Sequence, residues 1–227
     1  MALEDHQVRH FDEELATLSE RLLEMGRLAR VRVGEAMRGL IERDADALDA
    51  VIKGDAAVNA LQIEIDDRCF KLIALHQPMA SNLRLIVAGL KISGDLERVG
   101  DLAVNIAEAS RRYIEHPPVK ELVDLPRMGG IAQKMLQDAL TTFVTHDLQL
   151  AQDVLRRDDE LDALKNQIFR ELLGHMLARP AVIKPATDLI LISRHLERVG
   201  DHATNVAEDV IFLVEAKDVR HQPAGPA

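Results

Sequence analysis

Apolar residues recur along most of the chain at the three- and four-residue spacing of an amphipathic α-helix. From Phe11 they fall at Leu15, Leu18, Leu22, Met25, Leu28/Ala29, Ala36 and Leu40, with Arg32 on the same stripe. This pattern predicts one long helix ending near Arg43, preceded by a polar, frayed stretch over residues 1–10. Asp44-Ala45-Asp46 suits the start of a short helix over 47–52. Gly54 breaks that helix, and Asp55 is placed to cap the next one. The next helix runs through Leu61, Ile65, Cys69 and Leu72 to about Leu75. His76-Gln77-Pro78 is a turn, because the residue before proline is driven out of the helical region. A third long helix starts near Ser81-Asn82 and fades by Tyr113. No strand pattern of weight appears.

Pro117-Pro118 cannot continue a helix, and Pro126 follows. Beyond them the order repeats: a helix from about 127 to 146, a short helix over 147–155, and a long helix from Asp158. Arg157-Asp158-Asp159-Glu160-Leu161-Asp162-Ala163-Leu164 aligns with Gly54-Asp55-Ala56-Ala57-Val58-Asn59-Ala60-Leu61. Ala29, Ala36, Asp44 and Val51 align without a gap with Ala132, Ala139, Asp147 and Val154. Arg179-Pro180 marks the second turn, with Pro185 soon after. The expected organisation is a repeat over 11–116, a linker over 117–126, a second repeat over 127–217 and a disordered tail over 218–227. Three amphipathic helices joined by tight turns bury their stripes best as an antiparallel bundle. The fold class is therefore all-α, with two tandem three-helix bundles related by a pseudo-twofold.

The repeat is sharpest in the third helix. Leu96-Glu97-Arg98-Val99-Gly100-Asp101-Leu102-Ala103-Val104-Asn105-Ile106-Ala107-Glu108 returns as Leu196-Glu197-Arg198-Val199-Gly200-Asp201-His202-Ala203-Thr204-Asn205-Val206-Ala207-Glu208. Glu97, Asp101, Asn105 and Glu108 share one helical stripe. Leu96, Val99, Ala103 and Ile106 form an apolar stripe that points roughly the opposite way. Gly100, Ala103 and Ala107 on the inward side permit close helix approach. The acidic stripe looks outward and contains no cation, so something positive is expected to offset it.

Composition narrows the function classes. The chain has 227 residues, no Trp, one Tyr and five Phe, and its net charge of −10 argues against a nucleic-acid surface. The lone Cys69 excludes an internal disulfide and a cysteine-based zinc site, and fits a reducing compartment. The start lacks the basic and apolar regions of a signal peptide. No apolar run approaches the ~20 residues that cross a bilayer. A cytoplasmic protein without membrane insertion is expected.

The second and third helices of each repeat run antiparallel across a proline turn. Asp55 and Asn59 lie about as far before the first turn as Glu97 and Asp101 lie after it. At ~1.5 Å per residue the two pairs come level. Asp158 and Asp162 bear the same relation to Glu197 and Asp201. Each repeat can then gather three or four oxygen side chains, a set suited to Mg²⁺, Ca²⁺, Mn²⁺ or oxidised iron. The alternative is a solvated acidic face with Asp55 and Asp158 as N-caps. Arg98 and Arg198 are expected in surface ion pairs. His175, His195 and His202 have no counterparts in the first repeat and are expected to be exposed, with His202 beside Asp201 also a facultative ligand. No Glu-x-x-His pair occurs in the helices, which disfavours a ferritin-like di-iron centre. No P-loop, dinucleotide fingerprint or nucleophile elbow occurs, so no enzyme is expected.

The stretch His195 to Asp209, HLERVGDHATNVAED, resembles the signature of the PhoU family. The likeness covers most of the chain. It extends to Glu97-x-x-x-Asp101, to Asp55-x-x-x-Asn59 and Asp158-x-x-x-Asp162 in the preceding helices, and to Gln77-Pro78 at the first turn. The resemblance implies two three-helix bundles with surface metal ions, sometimes iron clusters, held by these acidic pairs. Divalent or trivalent iron, manganese, magnesium or zinc all remain open. It also implies a cytoplasmic, often dimeric, negative regulator of phosphate uptake and phosphate-starvation signalling. Its partners would be the phosphate ABC transporter, through the ATP-binding subunit, and the sensor kinase. Asn59 in place of a carboxylate implies a weaker first site. A metal-free helical adaptor with the same partners is the first alternative, and a metal-dependent phosphate ester hydrolase the second.

Overall fold

The computed structural model describes residues 2–54, 56–217 and 219, with side chains from residue 10 onward. These residues form seven α-helices and no strand: α1 (Ala2–Glu42), α2 (Ala45–Lys53), α3 (Ala56–His76), α4 (Ala80–Tyr113), α5 (Asp124–Thr145), α6 (Leu148–Ala178) and α7 (Ile183–Glu215). A 3-10 turn, Pro180–Val182, precedes α7. Helices α1, α3 and α4, with the short α2, make one bundle; α5, α6 and α7 make the other.

Three boundaries depart from the sequence reading. Helix α1 begins at Ala2 rather than near Phe11; residues 2–10 contain no Pro or Gly to stop it. Helix α5 begins at Asp124, because Pro126 falls in the first turn, where proline's missing N–H costs nothing. The third departure bears on the site. In the first repeat Gly54 ends α2, and a Cβ there would press within 2.8 Å of an Arg32 guanidinium nitrogen. Arg32 is buried and donates to the Val51 carbonyl at 2.8 Å, closing the end of α2. In the second repeat Arg157 stands where Gly54 would be, and α6 runs unbroken through it. Asp158 is therefore a mid-helix residue and not an N-cap. The tail expected from Asp218 lies outside the described residues except for Val219, which packs against the core.

The bundles share one continuous apolar interior. Leu18, Leu22 and Met25 of α1, Ile65 of α3, Ile92 and Leu96 of α4, Met135 and Leu136 of α5, and Ile192 and Leu196 of α7 are all fully buried within it. The most extensive helix contact is α4 on α7, across the two repeats. Three polar contacts fix its register. Lys91 Nζ lies 2.8 Å from Asp209 Oδ1, Asn205 Nδ2 donates to Asp95 Oδ1 at 3.0 Å, and Arg112 Nε lies 2.9 Å from Asp188 Oδ1. Stepping up α4 from 91 to 95 to 112, the partners on α7 step back from 209 to 205 to 188 by the same intervals. Since the motif copies stand 100 residues apart, this antiparallel register is the one that exchanges α4 and α7 about a twofold axis. Asp188 and Asp209 are buried, and a buried carboxylate persists only when paired. These contacts therefore specify the register as well as filling the seam.

Candidate functional site

The outer face of α6 and α7 carries the second acidic set. Gly200 lets the two helices close together: a Cβ there would overlap Leu161 Cδ1 and sit 3.5 Å from Asp158 Oδ1. The glycine of the repeated motif thus serves the α6–α7 contact beneath the acids. Lys165 of α6 reaches across, and its Nζ donates to Asp162 Oδ1 and to Glu197 Oε1, each at 2.7 Å. This bridge shows that Asp162 and Glu197 are level, as the turn-counting argument requires. Lys165 is also a cation that the sequence reading did not find. The signal was present, because Lys165 follows Asp158 by seven residues and Asp162 by three, on the same helix stripe.

One ammonium does not offset the whole set. Burial first, then Asp201, Asp162, Asp159 and Glu197 in turn, push the Asp158 carboxyl up to about 6. Burial, Glu197 and Asp162 raise Asp201 as well, against the opposing pull of His202 and Lys165. The two bonds to Asp162 and Glu197 hold the Lys165 ammonium well above its ordinary value, so it stays charged. An all-oxygen donor set under this repulsion fits a hard cation in its chemistry. Among the described residues, however, no three His, Cys, Asp or Glu side chains stand together in a metal-holding arrangement. The Lys165 ammonium occupies the gap between the two helices.

The first face is only partly described. Asp55 lies outside the described residues. Asn59 and Glu97 are half-buried, and Arg98 folds back along α4. Its Nε lies 3.4 Å from Glu97 Oε2 and its guanidinium 3.1 Å from Asp101 Oδ2, the surface ion pairing expected of it.

The histidines differ from expectation. His175, His195 and His202 are half-buried, not exposed. His202 Nδ1 stands 2.7 Å from Asp95 Oδ1 of the other bundle, because α7 turns that side against α4. It faces the inter-bundle seam, and from there it still opposes the rise at Asp201. Burial, then Arg198, Arg194 and Arg112, lower His195 below the ordinary imidazole value. Burial and Asp66 push the Cys69 thiol up to about 12, so it offers no nucleophile at neutral pH.

The PhoU domain profile matches residues 22–110 and again 125–210. The chain belongs to the PhoU family. A relative from Caulobacter vibrioides, named a phosphate-specific transport system accessory protein PhoU homolog, is 42% identical over 219 residues, covering 96% of this chain and 95% of the relative. An Aquifex aeolicus relative of the same name is 40% identical, covering 92% and 95%. The crystal structure of PhoU from Pseudomonas aeruginosa superposes with a TM-score of 0.88 at 36% identity, over 91% of this chain and 100% of that one. The Streptococcus pneumoniae phosphate transport system regulatory protein PhoU gives 0.85 at 29% identity, over 92% and 99%. Both PhoU matches thus end inside the paired helices that carry the acidic faces. No described helix is long and apolar enough to cross a membrane.

Proposed function

We propose that this PhoU-family chain is a cytoplasmic negative regulator of phosphate uptake and of phosphate-starvation signalling. It acts as a homodimer by contact with the ATP-binding subunit of the phosphate transporter and with the sensor kinase, and it catalyses no reaction of its own. The observation that carries this reading is the near-full-length match to relatives named as accessory proteins of phosphate-specific transport. Asp158, Asp162, Glu197 and Asp201 on one face, and Asp55, Asn59, Glu97 and Asp101 on the other, are the residues that would hold a divalent or trivalent ion. Such an ion would supply positive charge to a repelling carboxylate set and an open coordination position for an anion. The position of Lys165 favours a second reading, in which the α6–α7 face works without metal because a side-chain cation already spans it.

Co-purification with the ATP-binding subunit and with the sensor kinase, at high and low phosphate and with and without chelator, tests both. Retention at high phosphate in either metal state supports the regulator, and loss on chelation selects the metal-dependent form. Failure to retain either partner under any condition overturns the proposal. Hydrolysis of a phosphate ester with added Mn²⁺, lost in Glu197→Gln/Asp201→Asn, would establish an enzyme instead.

A further inference from the structure

The seam between α4 and α7 differs in its two halves, and the internal duplication supplies the comparison. In one half the Asp95 carboxylate is held by two side chains of α7. His202 Nδ1 stands 2.7 Å from Asp95 Oδ1, and Asn205 Nδ2 donates to the same oxygen at 3.0 Å. The twofold exchange of α4 with α7 carries Asp95 onto His195, His202 onto Leu102 and Asn205 onto Asn105. The other half thus keeps the carboxamide and has no carboxylate. The register that pairs Asp95 with Asn205 sets Asn105 opposite His195. Among the described residues Asn105 has no hydrogen bond, and Nδ1 of the half-buried His195 is shut off from solvent without a partner.

Three guanidiniums surround this half. Arg112 of α4 is bonded to the buried Asp188. Arg194 and Arg198 are exposed and stand one turn apart on α7, flanking His195 in the sequence. The two repeats part company here. Arg98, the counterpart of Arg198, folds back on Glu97 and Asp101. Arg198 does not make the surface ion pair expected of it: among the described residues, neither it nor Arg194 has an ion pair or a hydrogen bond. Like charges at this spacing repel each other. The chain has 38 Asp and Glu against 28 Lys and Arg, so the two arginines are not left unpaired for want of acids.

We infer that Arg194, Arg198 and Asn105 bind a free phosphate ion, whose oxygens stand in for the carboxylate that this half of the seam lacks. The guanidinium fork matches two oxygens of a tetrahedral oxyanion, and the Asn105 amide adds a donor from the other bundle. Asp188 already holds Arg112, so the two arginines of α7 carry the charge that meets the ion. A net charge of −10 repels an anionic membrane or a nucleic acid, which leaves a small ion as the occupant. The acidic faces of α3–α4 and α6–α7 supply no ligand to it, so the site stands or falls apart from the metal reading.

The test is isothermal titration calorimetry of the full chain with inorganic phosphate at pH 7.5. The chain is first stripped of metal and dialysed free of chelator, and sodium chloride holds the ionic strength constant. One ion should bind per chain. Arg194→Gln/Arg198→Gln should weaken it about tenfold or more, because each guanidinium–oxygen bond is charge-assisted. Both positions are exposed, so the fold tolerates the change. His195→Asp, which gives the arginines the carboxylate found in the first half, should weaken it by a similar factor. Arg170→Gln, at an exposed arginine of α6, should leave it unchanged. Phosphate should also raise the Tm of the wild-type chain and not that of the double variant. No binding to the wild-type chain, binding that the double variant keeps, or an equal loss in Arg170→Gln overturns the inference. Binding only to vesicles that contain phosphatidic acid, without competition from free phosphate, makes the occupant a lipid headgroup and overturns it equally.

Discussion

Lys165→Met removes one positive charge from the α6–α7 face and keeps the apolar stem that packs along it. In the wild-type chain the ammonium donates at 2.7 Å to Asp162 and at 2.7 Å to Glu197. The Glu197 side chain is 19% exposed and that of Asp162 53%. A hydrogen bond to a charged partner away from solvent contributes about 1.5–3 kcal/mol, and an exposed ion pair about 0–1 kcal/mol. The Glu197 bond belongs nearer the first range and the Asp162 bond in the second. After the desolvation of the ammonium is set against them, the loss is about 2 kcal/mol. In a chain of 227 residues that lowers Tm by about 4–8 °C.

The pH dependence separates this account from a simple packing defect. The Asp158 carboxyl is pushed from 3.8 up to about 6, burial first and neighbouring carboxylates after. The folded state then holds its proton more tightly than the unfolded chain does. Stability from this group is present at low pH and is lost as pH rises through the window between those two values. Lys165 is one of the groups that oppose the rise at Asp201, so removing it strengthens the repulsion once all the acids ionise. The Tm deficit of Lys165→Met should be larger at pH 7.5 than at pH 4.5, the added part coming from Asp201, whose charge Lys165 helps to offset. Thermal melts followed by circular dichroism at low salt read both. A deficit equal at the two pH values, or none at pH 7.5, would refute the role given to the ammonium.

Three further outcomes follow. Asp138→Asn should cost about 1–3 kcal/mol by urea unfolding at pH 7, because it weakens bonds from Lys134 and Arg157 to a carboxylate that is 4% exposed. Burial pulls that carboxyl up, but the two cations outweigh it and hold it below its ordinary value. Its contribution is therefore present above the unfolded-state value and lost as pH falls, and the mutant and wild-type midpoints should converge in acid. Gly200→Ala should cost about 1–3 kcal/mol, measured the same way, since its Cβ overlaps Leu161 and must part α6 from α7. Asp201→Asn should raise the Tm at pH 7.5 in chelator, because it removes the foremost of the charges that repel Asp158 and leaves the Lys165–Glu197 bond in place; an unchanged Tm would count against that repulsion.

How much of this was legible in the residues depends on the range of the interaction. Helix spacing, the proline turns and the duplicated motif are local patterns, and α3 and α4 follow from them almost to the residue. The levelling of α6 acids with α7 acids was legible too, because it needs only a count from the turn. What escaped was set between elements. The α6 break was expected by analogy with the first repeat, yet it depends on one glycine that the second repeat lacks. His202 reads as a ligand beside Asp201 until α4 is placed against α7, where Asp95 takes it. Lys165 was missed for the same reason. It lies on the same stripe as Asp162, but its partner Glu197 is on the neighbouring helix. Only the packing turns an ordinary surface lysine into the counter-charge of the face.

Counting that lysine changes what the two faces should do with a cation. On carboxylates alone, Asn59 makes the first face the weaker of the two. The same alignment, however, sets Gln62 against Lys165 as well as Asn59 against Asp162. The second face has an acid and an ammonium where the first has two neutral amides. Among the predicted ligands, what remains is Asp55, Glu97 and Asp101 on one side and Asp158, Glu197 and Asp201 on the other, three carboxylates each. Uptake of Mn²⁺, followed by equilibrium dialysis, should therefore fall by comparable amounts in Glu97→Gln/Asp101→Asn and in Glu197→Gln/Asp201→Asn. Lys165→Met should strengthen uptake at the second face only. A unit charge at 4 Å is worth about 4 kcal/mol at an effective dielectric of 20, and solvent on an open face reduces this to about 1 kcal/mol, or roughly fivefold in affinity. If uptake is lost entirely with the second pair of substitutions and not at all with the first, carboxylate number governs the sites and the charge argument fails. If Lys165→Met leaves uptake unchanged while both double substitutions reduce it, the ion sits elsewhere on the face than the gap the ammonium spans.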